Sequence, residues 1–188
     1  MKSEWCFFDK AITDEECDTL LSHLEERYEY LEPSIGFGED SKVNETFRKC
    51  KVAWAHPYKE EKIVKLLWYY VQRANRDHFN FDLQYINEIQ LTKYEGDTET
   101  PGKYNWHHDV DWLAQGTFHR KLSLSLILSD GYEGGELEFD ASIPQLPKEA
   151  LQKGSIIFFP SFTIHRVAPV TSGTRNSIVT WVEGPKWR

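Results

Sequence analysis

Between Lys121 and Asp130 the chain reads KLSLSLILSD, in which Leu122, Leu124, Leu126 and Leu128 alternate with Ser123, Ser125, Ile127 and Ser129. Successive side chains of a strand point to opposite faces, so a strict period of two predicts one long strand with a leucine face that must be covered. Two amphipathic segments earlier in the chain can cover it. Cys17, Leu20, Leu21, Leu24, Tyr28 and Leu31 recur at helical steps, predicting a helix from Asp14 to Leu31 capped by Thr13 or Asp14, with Glu25, Glu26 and Glu29 on a solvated face. Ile63, Leu66, Leu67, Tyr70, Val71 and Ala74 form a second stripe, predicting a helix from about Tyr58 to His78. The remaining apolar segments are short: Phe47–Ala55, Phe79–Tyr94, Tyr104–Asp111, Glu136–Phe139, Ser155–Phe159, Val167–Val170 and Ser177–Val182. Glycine-containing turns separate them, with Gly173 between the last two. The expected fold is mainly β with flanking helices: a double-stranded β-helix, jelly-roll or cupin-like, supported by two N-terminal helices. At 188 residues without a linker-like stretch, we expect one domain, with 1–80 as helical support and 81–188 as the jelly-roll core.

Composition excludes several functions. A net charge of −8 disfavours nucleic acid as a partner, because phosphate backbones are held by clustered Lys and Arg. No apolar run is long enough to cross a bilayer, so no membrane association is expected. The start MKSEWCFFDK lacks the basic and apolar regions of a secretory leader, which gives a cytoplasmic expectation. Cys6, Cys17 and Cys50 are odd in number and widely spaced, so reduced thiols are expected rather than a disulfide frame.

Chemistry concentrates in YNWHHDVD, Tyr104 to Asp111. On an extended strand His107 and Asp109 share a face and can hold one cation between them. His165, which follows the apolar strand in FFPSFTIHRV, can complete the set from a neighbouring strand. Two imidazoles and one carboxylate leave part of the coordination sphere open, as non-haem Fe(II) oxygenases require. Arg175 stands ten residues beyond His165, at a spacing that suggests one hairpin for the two, and its fork suits the far carboxylate of a keto-diacid; Ser177 shares its face. The combination points to an Fe(II)- and 2-oxoglutarate-dependent dioxygenase that releases succinate and CO₂, with ascorbate as a candidate reductant. Tyr94 and Tyr104 flank the ligand strand and can donate phenolic hydrogen bonds. His108 faces the other way and Asp111 lies about 7 Å further along the strand, so both are poorer ligands. His23, His56, His78 and His119 have no matching partners, and Trp106, Trp112 and Trp181 are expected to pack, with lining of the substrate mouth as the alternative for any one of them. A zinc hydrolase also uses two His and an Asp, but leaves Arg175 without a task. A non-catalytic jelly roll that binds a metal or ligand is the third reading.

YEGDTETPGKYNWHHD resembles the approach to His-x-Asp in prolyl 4-hydroxylase-like dioxygenases, and YEGGELEF with KGSIIFFPSFTIHRVAPVTSGTR resembles bacterial Fe(II)-dependent hydroxylases of that superfamily. The likeness spans roughly Tyr94 to Val182. It implies a jelly-roll core, iron held by His107, Asp109 and His165, and 2-oxoglutarate anchored by Arg175. It also implies hydroxylation of a prolyl residue in a peptide or protein, with a free amino acid or other small molecule as the alternative. Extra residues between Tyr94 and Tyr104 leave open which tyrosine enters the pocket, and Ile127 stands where some relatives carry a cosubstrate-contacting tyrosine. Selectivity is expected to come from the loops Gly36–Asn44, Asp97–Lys103 and Ile143–Pro147.

Overall fold

A computed structural model describes residues 2–33 and 43–187. Its strands, in chain order, are β1 (Cys6–Phe8), β2 (Arg48–Lys49), β3 (Lys51–Ala55), β4 (Tyr85–Glu95), β5 (Gly102–His107), β6 (Phe118–Ile127), β7 (Glu133–Gly134), β8 (Leu137–Phe139), β9 (Ile156–Pro160), β10 (His165–Ser172) and β11 (Thr174–Pro185). A six-stranded sheet runs β1-β9-β6-β11-β4-β3, and a five-stranded sheet contains β2-β5-β10-β7 with β8 also on β10. Neighbouring strands in both sheets are antiparallel. The result is the jelly roll that the strand pattern predicts.

The leucine strand is β6, at the centre of the larger sheet between β9 and β11. Its two faces do different work. Leu122, Leu124, Leu126 and Leu128 are fully buried in one cluster with Cys17 and Leu24 of helix α1 (Asp14–Arg27) and Ile63, Leu67 and Val71 of helix α2 (Glu61–Ala74). Each such side chain contributes roughly 1.5–3 kcal/mol by leaving water. Ser123 and Ser125 point the other way, into the space between the sheets. Ile127 closes one end of that space against Leu137, Phe139, Ile157 and Phe159.

Both helices are shorter than their apolar stripes suggest. α1 begins in a capping box between Thr13 and Glu16 and stops at Arg27, because Tyr28 turns extended and Leu31 instead pairs with Val52. The second segment opens with a 3₁₀ turn (Pro57–Lys59), continues as α2, and ends in a π turn (Asn75–Phe79) closed by Asn80 in the left-handed region. The predicted strand from Phe79 therefore starts only at Tyr85. The first 80 residues also supply β1, β2 and β3 to the edges of the two sheets, and not helices alone. Cys6, Cys17 and Cys50 are buried free thiols. Among the described residues no helix is long and apolar enough to cross a membrane.

One turn decides the geometry of the site. The spacing of His165 and Arg175 suggests a single hairpin, but β10 and β11 belong to different sheets and Gly173 carries the chain from one to the other. Gly173 has φ +72°, and a Cβ there would lie 2.4 Å from the Gly131 carbonyl oxygen. Gly173→Ala is expected to destabilise the fold by about 1–3 kcal/mol in urea titration. An unchanged unfolding midpoint would show that this crossing is not locked.

Candidate active site

β5 ends at His107 and β10 begins at His165, and antiparallel pairing sets the two residues directly opposite each other. Paired residues share a face of the sheet, so the imidazoles meet with ring centroids 4.2 Å apart. His107 Nδ1 lies 2.7 Å from the Asn105 carbonyl oxygen and His165 Nδ1 2.9 Å from that of Thr163. A carbonyl only accepts, so both Nδ1 atoms carry the proton and both Nε2 lone pairs are free to bind a metal.

Asp109 reaches the same point by a route that alternation alone does not describe. The strand stops at His107, and the Asp109 amide instead donates to the Ser161 carbonyl at 2.8 Å. That bond fixes the bend which aims the carboxylate inward, with Oδ1 3.6 Å from His107 Nε2 and Oδ2 3.6 Å from His165 Nε2. Ser123 donates to Oδ2 at 2.6 Å, and Ser161 Oγ lies 2.9 Å from Ser123 Oγ. Burial would raise the Asp109 pKa, but His165, His107 and the Ser123 bond outweigh it and bring it down to about 2. Burial, reinforced by His165, lowers His107 to about 3. An ionised carboxylate beside a neutral imidazole is the protonation state that a cation needs. One ligand atom each from His107, Asp109 and His165 lie within 4.8 Å of one another. Two nitrogens and one oxygen so arranged suit Fe(II) and leave other positions open.

The rival ligands lie elsewhere. Asp111 accepts from the Leu113 amide at 3.0 Å, and His108 sits toward the mouth near Trp112. His23 bonds Glu60, His78 meets Ser3, His56 stacks on Tyr58 and His119 lies beside Trp112 and Trp187.

A cavity of about 530 Å³ opens onto His107, Asp109 and His165. That volume is ordinary for a small-molecule or cofactor site. Arg175 is 2% exposed, and its Nη1 donates to Ser177 Oγ at 3.0 Å, which in turn lies 2.7 Å from Thr92 Oγ1. Arg175 Nε is buried without a partner among the described residues. An unsatisfied donor on a desolvated cation is costly, and a carboxylate on the fork would satisfy it. Tyr94 lies beside it, with the guanidinium carbon 5.6 Å from the ring centre. Tyr104 stacks on His107 at 3.6 Å. Both tyrosines line the cavity, and burial pushes both phenols up so that they remain neutral donors. Ile127 does not line it, whereas Ser125 does.

Among the described residues, the walls near the mouth come from outside the expected loops. Phe47, Trp54, Trp106, His108, Arg120 and Trp181 form them, so Trp106 and Trp181 line the cavity while Trp112 does not. Ile143 and Leu146 do not line the cavity but pack on the apolar cluster behind it, whose Leu137 and Phe159 do. Asp97 accepts from the Glu99 and Thr100 amides in the exposed β4–β5 turn, and most of Gly36–Asn44 lies outside the described residues. Arg48, Gln90 and Thr92 line the cavity without being anticipated from the sequence. Arg48 shares its alternation phase with Cys50 and Val52, and a cation on that apolar face is a readable signal.

If the triad binds a divalent ion, Mn(II) at about 100 times its Kd should stabilise the fold by about 2.7 kcal/mol and raise the melting temperature by roughly 5–10 °C. Absence of a chelator-reversible shift would count against the site.

The profile of the 2OG-Fe(II) oxygenase superfamily matches residues 89–183, and the chain belongs to that superfamily, whose members are Fe(II)- and 2-oxoglutarate-dependent oxygenases. It is 32% identical over 171 residues to a PKHD-type hydroxylase of Synechococcus sp. (strain CC9311), covering 89% of this chain and 72% of that relative. A PKHD-type hydroxylase of Colwellia psychrerythraea is 40% identical over 85 residues, which are 44% of this chain and 38% of that relative. Among solved structures, the viral collagen prolyl hydroxylase of Paramecium Bursaria Chlorella virus-1, in its 2OG complex, has a TM-score of 0.72 at 19% identity over 97% of both chains. A Trichoplax adhaerens prolyl hydroxylase in complex with a hypoxia inducible factor peptide fragment has a TM-score of 0.71 at 15% identity, over 96% of this chain and 83% of that one. These structural likenesses concern the fold.

Proposed function

We propose that this chain hydroxylates an unactivated C–H bond of a prolyl residue in a peptide or protein, with conversion of 2-oxoglutarate and O₂ to succinate and CO₂. The observation that carries the reading is the convergence of His107 Nε2, His165 Nε2 and the Asp109 carboxylate at a cavity that also holds a buried, incompletely bonded Arg175. His107, Asp109 and His165 hold Fe(II), which when bound supplies the oxidising chemistry. Asn105, Thr163 and Ser123 keep those three side chains oriented and in the right protonation state. Arg175, with Ser177 and Thr92 beside it, takes the distal carboxylate of 2-oxoglutarate, and Tyr94 and Tyr104 offer neutral hydroxyls along the way. Phe47, Trp54, Trp106 and Trp181 give an apolar entrance that excludes water and suits a pyrrolidine ring. The names of the structural neighbours, prolyl hydroxylases, support a prolyl substrate, and the relatives' names support hydroxylation. The two sheets and their helices work as one catalytic domain.

Incubation with Fe(II), 2-oxoglutarate, ascorbate and O₂ should add one oxygen to proline-containing peptides, with matching succinate. Oxygen gained only by free amino acids or metabolites would move the substrate to the small-molecule alternative. Absence of 2-oxoglutarate consumption with every substrate would remove the activity.

A further inference from the structure

Arg48 is a second buried cation in this cavity, and the metal and keto-acid roles proposed above leave it without an assignment. It is 7% exposed, with its guanidinium carbon 4.3 Å from the centre of the Tyr104 ring. Nη2 donates to Gln90 Oε1 at 2.8 Å and Nε to Cys50 Sγ at 3.2 Å. These partners are neutral. Arg27, Arg76, Arg120 and Arg166 each meet a carboxylate, whereas Arg48 meets none among the described residues.

Its position separates it from Arg175. Gln90 pairs with Val179, whereas the Arg175 fork reaches Ser177, which pairs with Thr92. Gln90 and Thr92 are two residues apart on β4, or roughly 7 Å at strand rise. The residue across from Gln90 on the other side is Trp54, 38% exposed at the mouth. Arg48 therefore stands at the entrance end, level with the metal ligands, because the ring it covers stacks on His107 at 3.6 Å. A short keto-diacid held by the metal and Arg175 leaves this flank open. Charge makes the same distinction. A divalent ion and Arg175 would be balanced by Asp109 and the dianionic cosubstrate, Arg120 is balanced by Glu88, and among the described residues lining the cavity Arg48 is left over.

Resting on the oxygenase reading above, we propose that Arg48 and Gln90 form a carboxylate subsite for the substrate, so that the molecule hydroxylated carries a carboxylate close to its reacting carbon. Gln90 accepts from Arg48 through Oε1, which leaves its amide N–H₂ to donate alongside the guanidinium. Such a paired donor edge matches a carboxylate and gains little from a neutral amide.

Two probe pairs test this on Mn(II)- and 2-oxoglutarate-loaded protein by calorimetry. N-acetyl-L-proline against N-acetyl-L-prolinamide places the carboxylate on the ring itself, and N-acetyl-Pro-Asp-amide against N-acetyl-Pro-Asn-amide places it on the next residue. The acidic member of one pair should bind at least about tenfold more tightly, and the pair that discriminates identifies the source of the carboxylate. Arg48→Met should reduce that preference to within about twofold while 2-oxoglutarate affinity stays within about twofold. Gln90→Glu, which places an internal carboxylate beside Arg48, should erase the same preference and decides the question if Arg48→Met does not fold. The proposal is overturned if wild-type protein discriminates neither pair or binds none of the probes. It is also overturned if the preference survives either substitution, or if Arg48→Met weakens 2-oxoglutarate as Arg175→Met does. Failure of wild-type protein to bind 2-oxoglutarate would instead remove the oxygenase reading itself.

Discussion

Asp109→Ala is expected to abolish iron-dependent turnover and to weaken Fe(II) or Mn(II) binding by more than about 100-fold, since even the partners that merely orient ligands are worth roughly 10–100-fold. Asp111→Ala is expected to leave metal affinity within about twofold. The contrast is sharp because the two carboxylates are close in sequence yet differ in surroundings. Asp109 lies between two Nε2 atoms at 3.6 Å and receives the Ser123 hydroxyl, whereas Asp111 only holds the Leu113 amide in a local turn. Removing Asp109 leaves two imidazoles with no anion to offset a divalent charge. Its loss should not unfold the apo-protein, because the neutral imidazoles keep their Asn105 and Thr163 bonds. Mn(II) titration followed by electron paramagnetic resonance separates the outcomes, and equal losses in both variants would show that Asp109 is not the ligand.

The second large effect is expected at Arg175. Arg175→Met should weaken 2-oxoglutarate binding by about 100-fold while metal affinity stays within about threefold, because two charge-assisted bonds to the distal carboxylate are lost together. Methionine fills much of the same space, so the neighbouring Tyr94 and Ser177 keep their packing. Arg175→Lys should recover only part of the affinity, since an ammonium supplies charge without the fork. Calorimetry on the Mn(II)-loaded protein measures both. Unchanged 2-oxoglutarate affinity in Arg175→Met would take the clamp out of the site, and equal weakening of metal and keto acid would point to a general collapse of the cavity.

The candidate ligand residues are readable because the proposed chemistry demands scarce residue types at spacings that strands set. His107, Asp109, His165, Arg175 and Ser177 come together at one cavity, and the KLSLSLILSD alternation correctly divides β6 into a helix-facing and an inward face. What cannot be read are the contacts made between distant segments. The Ser161 carbonyl that bends Asp109 inward is far away in sequence, so the strand that alternation predicts through Asp111 ends at His107. Gly173 marks a turn, but a turn residue alone does not say whether the next strand pairs with the last or crosses to the opposite sheet. Helix ends shift for a related reason. Leu31 fits the α1 stripe by spacing, yet it gains a backbone pairing with Val52 that a continued helix would forbid. Arg48 carries a signal in its shared phase with Cys50 and Val52, but beside Lys49 and Lys51 it reads as surface charge, and only the closure of Tyr104 and Gln90 around it gives it a place in the site.

The central claim is that one metal ion and one keto acid meet within this cavity, and anaerobic optical titration tests it most directly. Fe(II) and 2-oxoglutarate added together to the oxygen-free protein should produce a visible iron-to-keto-acid charge-transfer band, absent with either alone and absent in Asp109→Ala. A colourless mixture at saturating concentrations of both, with the protein folded, would contradict it.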